Sequence, residues 1–234
     1  MVAHQFIARE KERESEQDNV LFCPPDGVGK SLDDAELAVC SYRAARSIIL
    51  RHEWLGTMPS GFRFAVAISW RGWIGGVVVF GSPNPMQIAN SVFGGWRPES
   101  VVQIHRGACV WWAHRHSASR LIAYGLKMAE QRGYRAAVAF SDPEAGEVGT
   151  VYQATNWTCC GLTAERPDYF ENGKRVVGCF AVRPTMTREP RPRKYRYVAL
   201  LGSRGQQREA RTRLAWPACE YPKRKEASVE IETE

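Results

Sequence analysis

The residues with the clearest capacity for chemistry lie within residues 141–161, which read SDPEAGEVGTVYQATNWTCCG. This stretch follows a short apolar run, residues 135–140, which predicts a buried strand that the next residues, Ser-Asp-Pro, must end. Asp142 therefore lies at a strand end, and a loop with two glycines leads from it to Tyr152. An acid and a phenol beside a glycine loop are typical of a pocket rim. An ordinary strand–loop–helix junction has the same pattern, because loops also serve as plain connections.

Two further ionisable side chains could join that pocket. His52 follows the first predicted helix, in a segment that must turn back toward the sheet, although a lone loop histidine is more often a surface or capping residue. Arg106 lies in a predicted strand, where it and its neighbour His105 face opposite sides. A buried arginine needs a carboxylate or a ligand phosphate, and Asp142 is one candidate partner.

A predicted strand gives way to a helix at residues 115–120, in the sequence RHSASR. The first backbone amides of a helix lack internal partners and the helix dipole is positive there, so anions bind well at such a position. Arg115, Ser117, Ser119 and Arg120 could therefore hold the phosphates of a cofactor. A serine N-cap between two solvated arginines would give the same sequence, and the residues alone do not separate the two interpretations.

Hydrophobic periodicity predicts an α/β (α+β) fold, with a mixed sheet and helices packed on it. Apolar residues at helical spacing, preceded by Ser31 as a cap, predict a long first helix. Two apolar runs joined by Arg71 and Gly72 predict a β-hairpin. The predicted order is helix (31–51), hairpin (62–70 and 73–80), long strand (101–112), helix (117–131), strand (135–140), short helix (148–157) and strand (176–182).

Composition divides the chain into a charged segment (1–30), a catalytic domain (31–182) and a basic C-terminal extension (183–234). With 234 residues and 44% hydrophobic content, one core is expected. No window reaches the roughly 18 uninterrupted apolar residues that a membrane helix needs, and the first residues are charged where a signal peptide is apolar. Seven cysteines without a CxxC pair argue against a disulfide framework and a thiolate zinc site. We therefore expect a soluble protein in a reducing compartment, with no membrane partner.

Positive charge is concentrated in the C-terminal extension. Residues 183–234 contain 13 Lys and Arg against 7 Asp and Glu, whereas residues 1–182 contain 19 against 18, so the extension carries +6 of the overall +7. Prolines predict little regular structure there, and Tyr195, Tyr197 and Trp216 alternate with arginines. Aromatic rings can stack on bases and guanidinium groups can pair with phosphates, which is typical of nucleic-acid binding, with a solubilising tail as the alternative. The predicted nucleic-acid contacts are Arg191, Arg193, Lys194 and Arg196.

The order of elements resembles the GCN5-related N-acetyltransferase (GNAT) fold. In that fold a long strand feeds a helix whose start binds the pyrophosphate of acetyl-CoA through an RxxGxG/A motif. Residues 115–120 lack those glycines and have Ser117, Ala118 and Ser119 instead, which are small enough to let a phosphate approach the backbone. The resemblance implies acetyl-CoA as the cofactor, with its phosphates at this helix start.

A more specific resemblance is to the Mom family of phage DNA-modification proteins. It rests on the run D-P-x-x-G-x-x-G-T-x-Y-Q-A-x-N-W and on HRGACVWW and SASRLIAYGL upstream, and it covers roughly residues 35–182. The family modifies the exocyclic N6 amine of adenine in phage DNA to a carbamoylmethyl (methylcarbamoyl) group, which blocks host restriction enzymes. The resemblance implies Asp142 and Tyr152 as catalytic residues and, on a looser match, His52 and Arg106.

From this resemblance we expect a DNA-modifying transferase with double-stranded DNA as its partner and acetyl-CoA as donor, in the host cytoplasm if a phage encodes it. Asp142 or His52 would take a proton from the amine, and Tyr152 would protonate the departing thiolate or hold the carbonyl. Arg106 would orient Asp142 or a phosphate. Because a duplex hides N6 in the base stack, the adenine must be extruded or the groove strongly distorted.

Several alternatives stay open at this level. Acetyl transfer alone does not give a carbamoylmethyl group, so the resemblance also admits a redox metal such as iron, held by His52, Asp142 and Tyr152. The other candidate functions are a GNAT-type acetyltransferase acting on a small molecule or protein, and a non-catalytic nucleic-acid-binding accessory protein. A dimer is one option for the oligomeric state.

Overall fold

A computed structural model of the chain describes residues 3–16, 24–176 and 182–223. Six helices, ten strands and one short 3-10 turn lie within these ranges. In chain order they are α1 (His4–Glu16), β1 (Glu36–Cys40), α2 (Tyr42–His52), β2 (Phe62–Trp70), β3 (Trp73–Gly81), α3 (Gln87–Val92), the 3-10 turn (Pro98–Ser100), β4 (Val101–Cys109), α4 (Ser117–Gln131), β5 (Ala136–Ser141), α5 (Thr150–Gln153), β6 (Thr158–Leu162), β7 (Pro167–Glu171), β8 (Lys174–Val176), β9 (Thr187–Pro190), β10 (Tyr195–Leu200) and α6 (Arg204–Thr212).

Seven strands form one sheet in the order β1-β2-β3-β4-β5-β10-β6. Neighbouring strands are antiparallel except for β4 and β5, which are parallel. The strands β8, β7 and β9 form a second, small antiparallel sheet. The predicted mixed, mostly antiparallel sheet flanked by helices is therefore confirmed.

Helices cover both faces of the large sheet. Leu121 of α4 is buried with Phe80 of β3 in one cluster, and Ile49 of α2 is buried with Val79 in another. Successive residues of a strand point to opposite faces, so Val79 and Phe80 divide between the two layers. A third buried cluster joins α3 and α6 to β4, β5 and β10.

The predicted hairpin and the second predicted helix are both confirmed. β2 and β3 pair in antiparallel register, and their link, Arg71 and Gly72, has φ of 49° and 83°. Positive φ at both central residues suits the two-residue turn whose twist matches that of the flanking strands. The helix α4 has the predicted bounds, Ser117–Gln131.

The predicted first helix, residues 31–51, is wrong in its first half. Residues 36–40 form β1, which pairs with β2, and α2 begins only at Tyr42. Ser41 separates the two elements, because its backbone is extended and its hydroxyl accepts a hydrogen bond from the amide of Ala44 at 3.2 Å. The apolar residues of β1 and α2 together mimic a helical period. Pairing with the otherwise free edge of β2 outweighs local helix propensity.

Residues 183–223 contain more regular structure than the sequence predicted. They include β9, β10 and α6, and β10 inserts between β5 and β6. Tyr197 is fully buried and Trp216 is only 7% exposed, so neither ring is available to stack on a base. The prolines and arginines of this segment hid the alternation of YRYVAL. The strand β10 therefore belongs to the same sheet as the predicted catalytic domain.

The predicted strand at residues 176–182 and the charged N-terminal segment are the two parts of the chain not yet described. Most of the predicted strand at 176–182 falls outside the described residues, and Val176 ends β8. In the charged N-terminal segment, Arg9 of α1 donates hydrogen bonds to the carbonyls of Trp111 and Ala113, both at 3.0 Å. Among the described helices, none combines the length and apolar character that crossing a bilayer would need.

Candidate active site

The strands β4 and β5 stop pairing with each other near the centre of the sheet, and the gap between their carboxyl ends is called the cleft below. The two strands share only three residue pairs, the last of which joins Gln103 to Val138, while β4 continues to Cys109. At His105 the register between β3 and β4 shifts by one residue, as in a β-bulge. Bulges bend a strand and re-aim its side chains. The carboxyl ends of parallel strands are a common place for ligands in open α/β sheets.

Asp142 follows β5 at the mouth of this cleft, as the sequence predicts. Its side chain is 19% exposed, and its Oδ2 lies 3.3 Å from Nζ of Lys194. Its Oδ1 accepts a hydrogen bond from the amide of Glu144 at 3.1 Å. Its backbone carbonyl accepts from the amides of Ala145 and Glu147, at 3.1 and 2.9 Å. Asp142 therefore starts a tight turn that holds its carboxylate at the strand end.

Glu147 is a second acid in the cleft, and the sequence analysis did not single it out. Burial raises the pKa of its carboxyl, the carboxylates of Glu53 and Asp142 raise it further, and Lys194 lowers it. Like charges disfavour ionisation of a neighbour, so this carboxyl keeps its proton to a higher pH than a solvated glutamate does. A raised pKa brings a carboxyl closer to the working range of a general base at neutral pH.

Glu53 is the third acid, and it was also missed. Its side chain is only 8% exposed. Burial raises the pKa of its carboxyl, whereas Arg106 and hydrogen bonds from two amides lower it. Those amides, of Leu55 and Gly56, donate to Oε2 at 3.0 and 3.2 Å. Glu53 directly follows α2, so the end of that helix delivers a carboxylate to Arg106 of β4.

Arg106 holds the loop that follows Glu53. Its Nε lies 3.8 Å from Oε2 of Glu53 and donates to the carbonyl of Thr57 at 3.0 Å. Its Nη2 donates to Oγ1 of Thr57 at 3.3 Å, and its Nη1 donates to the carbonyl of His105 at 2.8 Å. A half-buried arginine is thus paired with a carboxylate, as physical chemistry requires, and that carboxylate is Glu53 rather than Asp142.

Tyr152 lies in α5 against two other aromatic rings. The centroid of its ring is 5.2 Å from the ring centroids of both Trp157 and Tyr197. Burial raises the pKa of its phenol, and the nearby Glu147 and Tyr197 raise it further. The hydroxyl therefore stays protonated at neutral pH and can donate a hydrogen bond or a proton. Tyr152 lies five residues after Glu147, at the other end of the glycine loop.

The loop between Asp142 and Tyr152 depends on a glycine. Gly149 has φ of +69°, and a Cβ at this position would lie 2.5 Å from the ring of Tyr197. The hydroxyl of Tyr197 donates to the carbonyl of Val148 at 2.6 Å. The strand β10 thus supports the loop that carries Glu147.

His52 is held by the N-terminal helix. Its Nδ1 contacts Oε1 of Glu12 in α1, and both side chains are about nine-tenths buried. Its carbonyl accepts a hydrogen bond from Nε2 of Gln5 at 2.7 Å. The predicted base therefore faces α1, while the adjacent Glu53 interacts with the acids of the cleft. A catalytic role for His52 stays a prediction.

The start of α4 has the features of an anion site. No side chain caps it, and Arg115 and Arg120 are exposed. The hydroxyls of Ser117 and Ser119 donate to backbone carbonyls of the preceding turn, at 2.6 and 2.9 Å, and Ser117 is fully buried. A phosphate here would therefore meet the backbone amides and the two arginines rather than the serine hydroxyls.

The four predicted nucleic-acid contacts all have partners within the protein. Arg191 and Arg193 pair with carboxylates at 2.6 and 3.2 Å. Lys194 is the residue that pairs with Asp142, and the half-buried Arg196 lies 4.8 Å over a tryptophan ring. Their charges are neutralised or shielded, and phosphate binding by these residues stays a prediction.

The described residues do not fit the redox metal that the sequence admitted. Across residues 3–16, 24–176 and 182–223, no three histidine, cysteine, aspartate or glutamate side chains are arranged to hold a metal ion. His52 faces Glu12, whereas Asp142 pairs with Lys194, so the suggested ligands do not converge. We assign no step to a metal.

A cavity of about 510 Å³ lies beside the glycine loop. It is within the size range of small-molecule sites in proteins. Its lining residues are Val148, Thr150, Gln153, Tyr221, Pro222 and Lys223.

A family model described as the Mom protein family matches residues 34–223. That range is most of the chain and includes the cleft, the glycine loop and β10. The chain belongs to the Mom family. The resemblance inferred from the run between Asp142 and Trp157 is thus confirmed, and the match extends past the predicted limit at residue 182. A search of curated proteins finds no match.

Solved structures similar to this Mom family member include several acetyltransferases. One is the IAA acetyltransferase from Bacillus cereus ATCC 14579, at 14% identity, covering 71% of this chain and 99% of that one, with a TM-score of 0.43. Another is yncA, a putative acetyltransferase from Salmonella typhimurium with acetyl-CoA. It is 11% identical, the match covers 73% of this chain and 95% of that one, and the TM-score is 0.44. A third is the GNAT family N-acetyltransferase YhbS from Escherichia coli with CoA. It is 18% identical, the match covers 53% of this chain and 68% of that one, and the TM-score is 0.38.

Proposed function

We propose that the chain is a DNA-modifying transferase that acts on N6 of adenine, forms carbamoylmethyladenine and so protects phage DNA from host restriction. One observation carries the proposal. The run that carries the family resemblance has Asp142 and Tyr152 at fixed positions and Glu147 between them, on the loop after β5, where the Glu147 amide donates to the Asp142 carbonyl at 2.9 Å. An acid pair and a protonated phenol are suited to proton transfer around a reacting amine.

The carboxylates would accept the proton that the amine loses. The N6 amine is a poor nucleophile because its lone pair is delocalised into the purine, and one proton must leave as N6 forms a bond to carbon. Glu147 suits this role best, since burial and the neighbouring carboxylates raise its pKa. Asp142, held by Lys194, is the second candidate base. Tyr152 would donate its proton or a hydrogen bond to the leaving group or carbonyl of the donor.

The start of α4 would hold the cofactor. Acetyl-CoA, when bound, supplies an activated two-carbon acyl group, and Arg115 and Arg120 with the first amides of α4 would bind its phosphates. The carbamoylmethyl product contains a nitrogen that an acetyl group lacks, and it joins N6 to a methylene carbon rather than to the acyl carbon. Starting from an acetyl group, a nitrogen donor and a two-electron oxidant must therefore also take part. The adenine would leave the base stack to reach the acids.

Mass spectrometry of nucleosides tests this proposal. We expect DNA from cells that express the chain to contain carbamoylmethyladenine. The variants Glu147→Gln, Asp142→Asn and Tyr152→Phe should each lose about 10²-fold or more of the product, the usual contribution of a general acid or base. Glu144→Gln is the matched control, because Glu144 is an exposed acid of the same loop and should leave the product unchanged.

The same measurement separates the alternatives. Unmodified DNA together with acetylated amines in the presence of acetyl-CoA would favour an ordinary acetyltransferase, for which the open start of α4 is also suitable. Salt-sensitive DNA binding without any product would favour a non-catalytic accessory protein.

A further inference from the structure

Three arginines form a stripe along an exposed side of α6. Arg204, Arg208 and Arg211 follow the i, i+4, i+7 spacing that places side chains on one face of a helix. All three are exposed, whereas Ala210, on a different side of the helix, is 1% exposed and belongs to the buried core. At 1.5 Å of rise per residue, this arginine stripe is about 10 Å long.

The charges of the arginine stripe are not neutralised by the described part of the chain. None of the ion pairs among the described residues includes Arg204, Arg208 or Arg211. Glu209, the one acid in α6, instead lies 3.9 Å from Nε of Arg213. This contrasts with Arg191, Arg193 and Lys194, which are all paired with carboxylates. Within the described residues the arginine stripe is therefore a cationic surface without a carboxylate partner.

Contacts at both ends hold α6 in place. At its start, the Ser203 hydroxyl accepts from the Gln206 amide and the Gln206 side chain accepts from the Ser203 amide at 2.9 Å, which is a complete capping box. Beyond its end, the guanidinium of Arg213 lies 4.8 Å from the centroid of the Trp96 ring. Further on, the ring of Trp216 lies 6.3 Å from that of Phe140, two residues before Asp142. The helix is thus preorganised and connected through the core to the strand that carries the site.

We propose that the arginine stripe of α6 binds the phosphate backbone of duplex DNA. A duplex has one phosphate per about 3.4 Å of axis on each strand, so a stripe of about 10 Å spans roughly three phosphates. Guanidinium groups bind phosphate oxygens through two parallel hydrogen bonds, which favours arginine at such a surface. Contacts of this kind set the position of the protein on DNA without reading its sequence. The inference rests on the proposed function, because DNA is the substrate proposed for the cleft.

Salt-dependent binding to a fluorescein-labelled 20-base-pair duplex tests the arginine stripe. The triple variant Arg204→Gln/Arg208→Gln/Arg211→Gln removes its charge while keeping good helix formers in α6. If each arginine neutralises one phosphate, the slope of log affinity against log salt should become less steep by about 2.7. Binding at low salt should weaken about tenfold or more. The control is Arg43→Gln/Arg46→Gln/Lys127→Gln, which removes three exposed positive charges elsewhere.

Two outcomes would overturn the inference. One is an unchanged slope and affinity in the α6 triple variant, with far-UV circular dichroism and thermal unfolding showing a folded protein. The other is an equal change in the control variant, which would mean that net charge alone attracts DNA. A separate arm measures carbamoylmethyladenine in DNA from cells that express the unsubstituted chain. If no protein modifies DNA yet the stripe still determines binding, the proposed function fails while the binding surface stands.

Discussion

At the scale of single residues, the candidate site is governed by buried charge. Glu147 and Glu53 have raised pKa values because both carboxyls are removed from water, and the charge of Glu53 raises the pKa of Glu147 further. Lys194 lowers the pKa of Glu147 and Arg106 lowers the pKa of Glu53, which offsets part of this effect. Because like charges disfavour ionisation of a neighbour, removing the charge of Glu53 should lower the pKa of Glu147.

Replacing Glu147 by glutamine should change stability in a pH-dependent way. The folded state raises the pKa of this carboxyl above its ordinary value of 4.5, so it binds the proton more tightly than the unfolded chain does. Stability is therefore lost as the pH rises through the window from the ordinary to the raised pKa. Glu147→Gln should have the unfolding temperature of the original below pH 4.5 and a higher one at neutral pH. Thermal unfolding across pH checks this, and a variant that is less stable at neutral pH would contradict it.

Replacing Gly149 by alanine should destabilise the glycine loop. The added Cβ would lie 2.5 Å from the Tyr197 ring at a φ of +69°. Gly72→Ala is the matched control, since φ there is +83° and no atom lies within 4 Å of the added Cβ. Both variants incur backbone strain, but only Gly149→Ala should incur about 1–3 kcal/mol more from overpacking. Chemical denaturation measures the difference, and equal losses would show that the loop shifts without cost.

The candidate site residues can be predicted from the sequence where their signal is local. Asp142 was found because a proline follows it directly after an apolar run, and Tyr152 because it lies in the same motif. Glu147 was overlooked although it lies between them. Glu53 has no such local signal, because its role depends on the fold bringing the end of α2 to Arg106 of β4.

At the scale of elements, Ser41 determines where β1 stops and α2 starts. It is the only residue between β1 and α2, and its hydroxyl accepts from the amide of Ala44. The first turn of a helix has unpaired amides, so this cap fixes the boundary at which the chain leaves the sheet.

Removing this cap should weaken α2. We expect Ser41→Ala to cost about 1 kcal/mol of unfolding free energy, as for other N-caps. Ser47→Ala is the control in the same helix, since its hydroxyl only donates to the Ala44 carbonyl at 2.8 Å and alanine favours helix. Urea denaturation of both variants checks the effect. A Ser41→Ala variant as stable as the control would show that pairing with β2 alone sets the boundary.

Elements with regular patterns were predictable and those defined by their neighbours were not. The hairpin and α4 carry their own turn and periodicity signals. β1 is short and half-exposed, and it forms a strand only because β2 offers a free edge. β10 alternates polar and apolar residues, but the surrounding arginines and prolines obscured it. The pairing of β1 with β2, and of β10 with β5 and β6, leaves no signal in the local sequence of either strand.

At the scale of the whole molecule, the basic C-terminal extension has two roles. β10 completes the large sheet, whereas α6 presents charge to solvent. The charge count alone could not distinguish arginines that are paired within the protein from those that are free. That distinction depends on carboxylates, such as Asp168 and Glu165, that precede them by about 20 residues or more.

Shortening the chain tests the structural role of β10. A chain that stops after Pro190 lacks the strand between β5 and β6, so β5 would expose an unpaired edge and β6 would lose its neighbour in the sheet. Exposed apolar edges promote aggregation, so we expect this chain to be insoluble. A chain that stops after Lys223 keeps every described element and should stay soluble. Sedimentation and circular dichroism separate the two, and a soluble, cooperatively folding short chain would contradict this account.

The central position of β10 also affects how the protein forms on the ribosome. Translation must add roughly 50 residues after β5 before β10 emerges to pair with it. At the usual rates of synthesis this interval lasts about 3 to 10 s. During this interval the nascent chain already contains the Asp142 motif and β6, but its sheet lacks β10, the strand with which β6 pairs. Chaperone binding to nascent chains should therefore be strongest in this interval, and the acids should meet only after the last strand has entered.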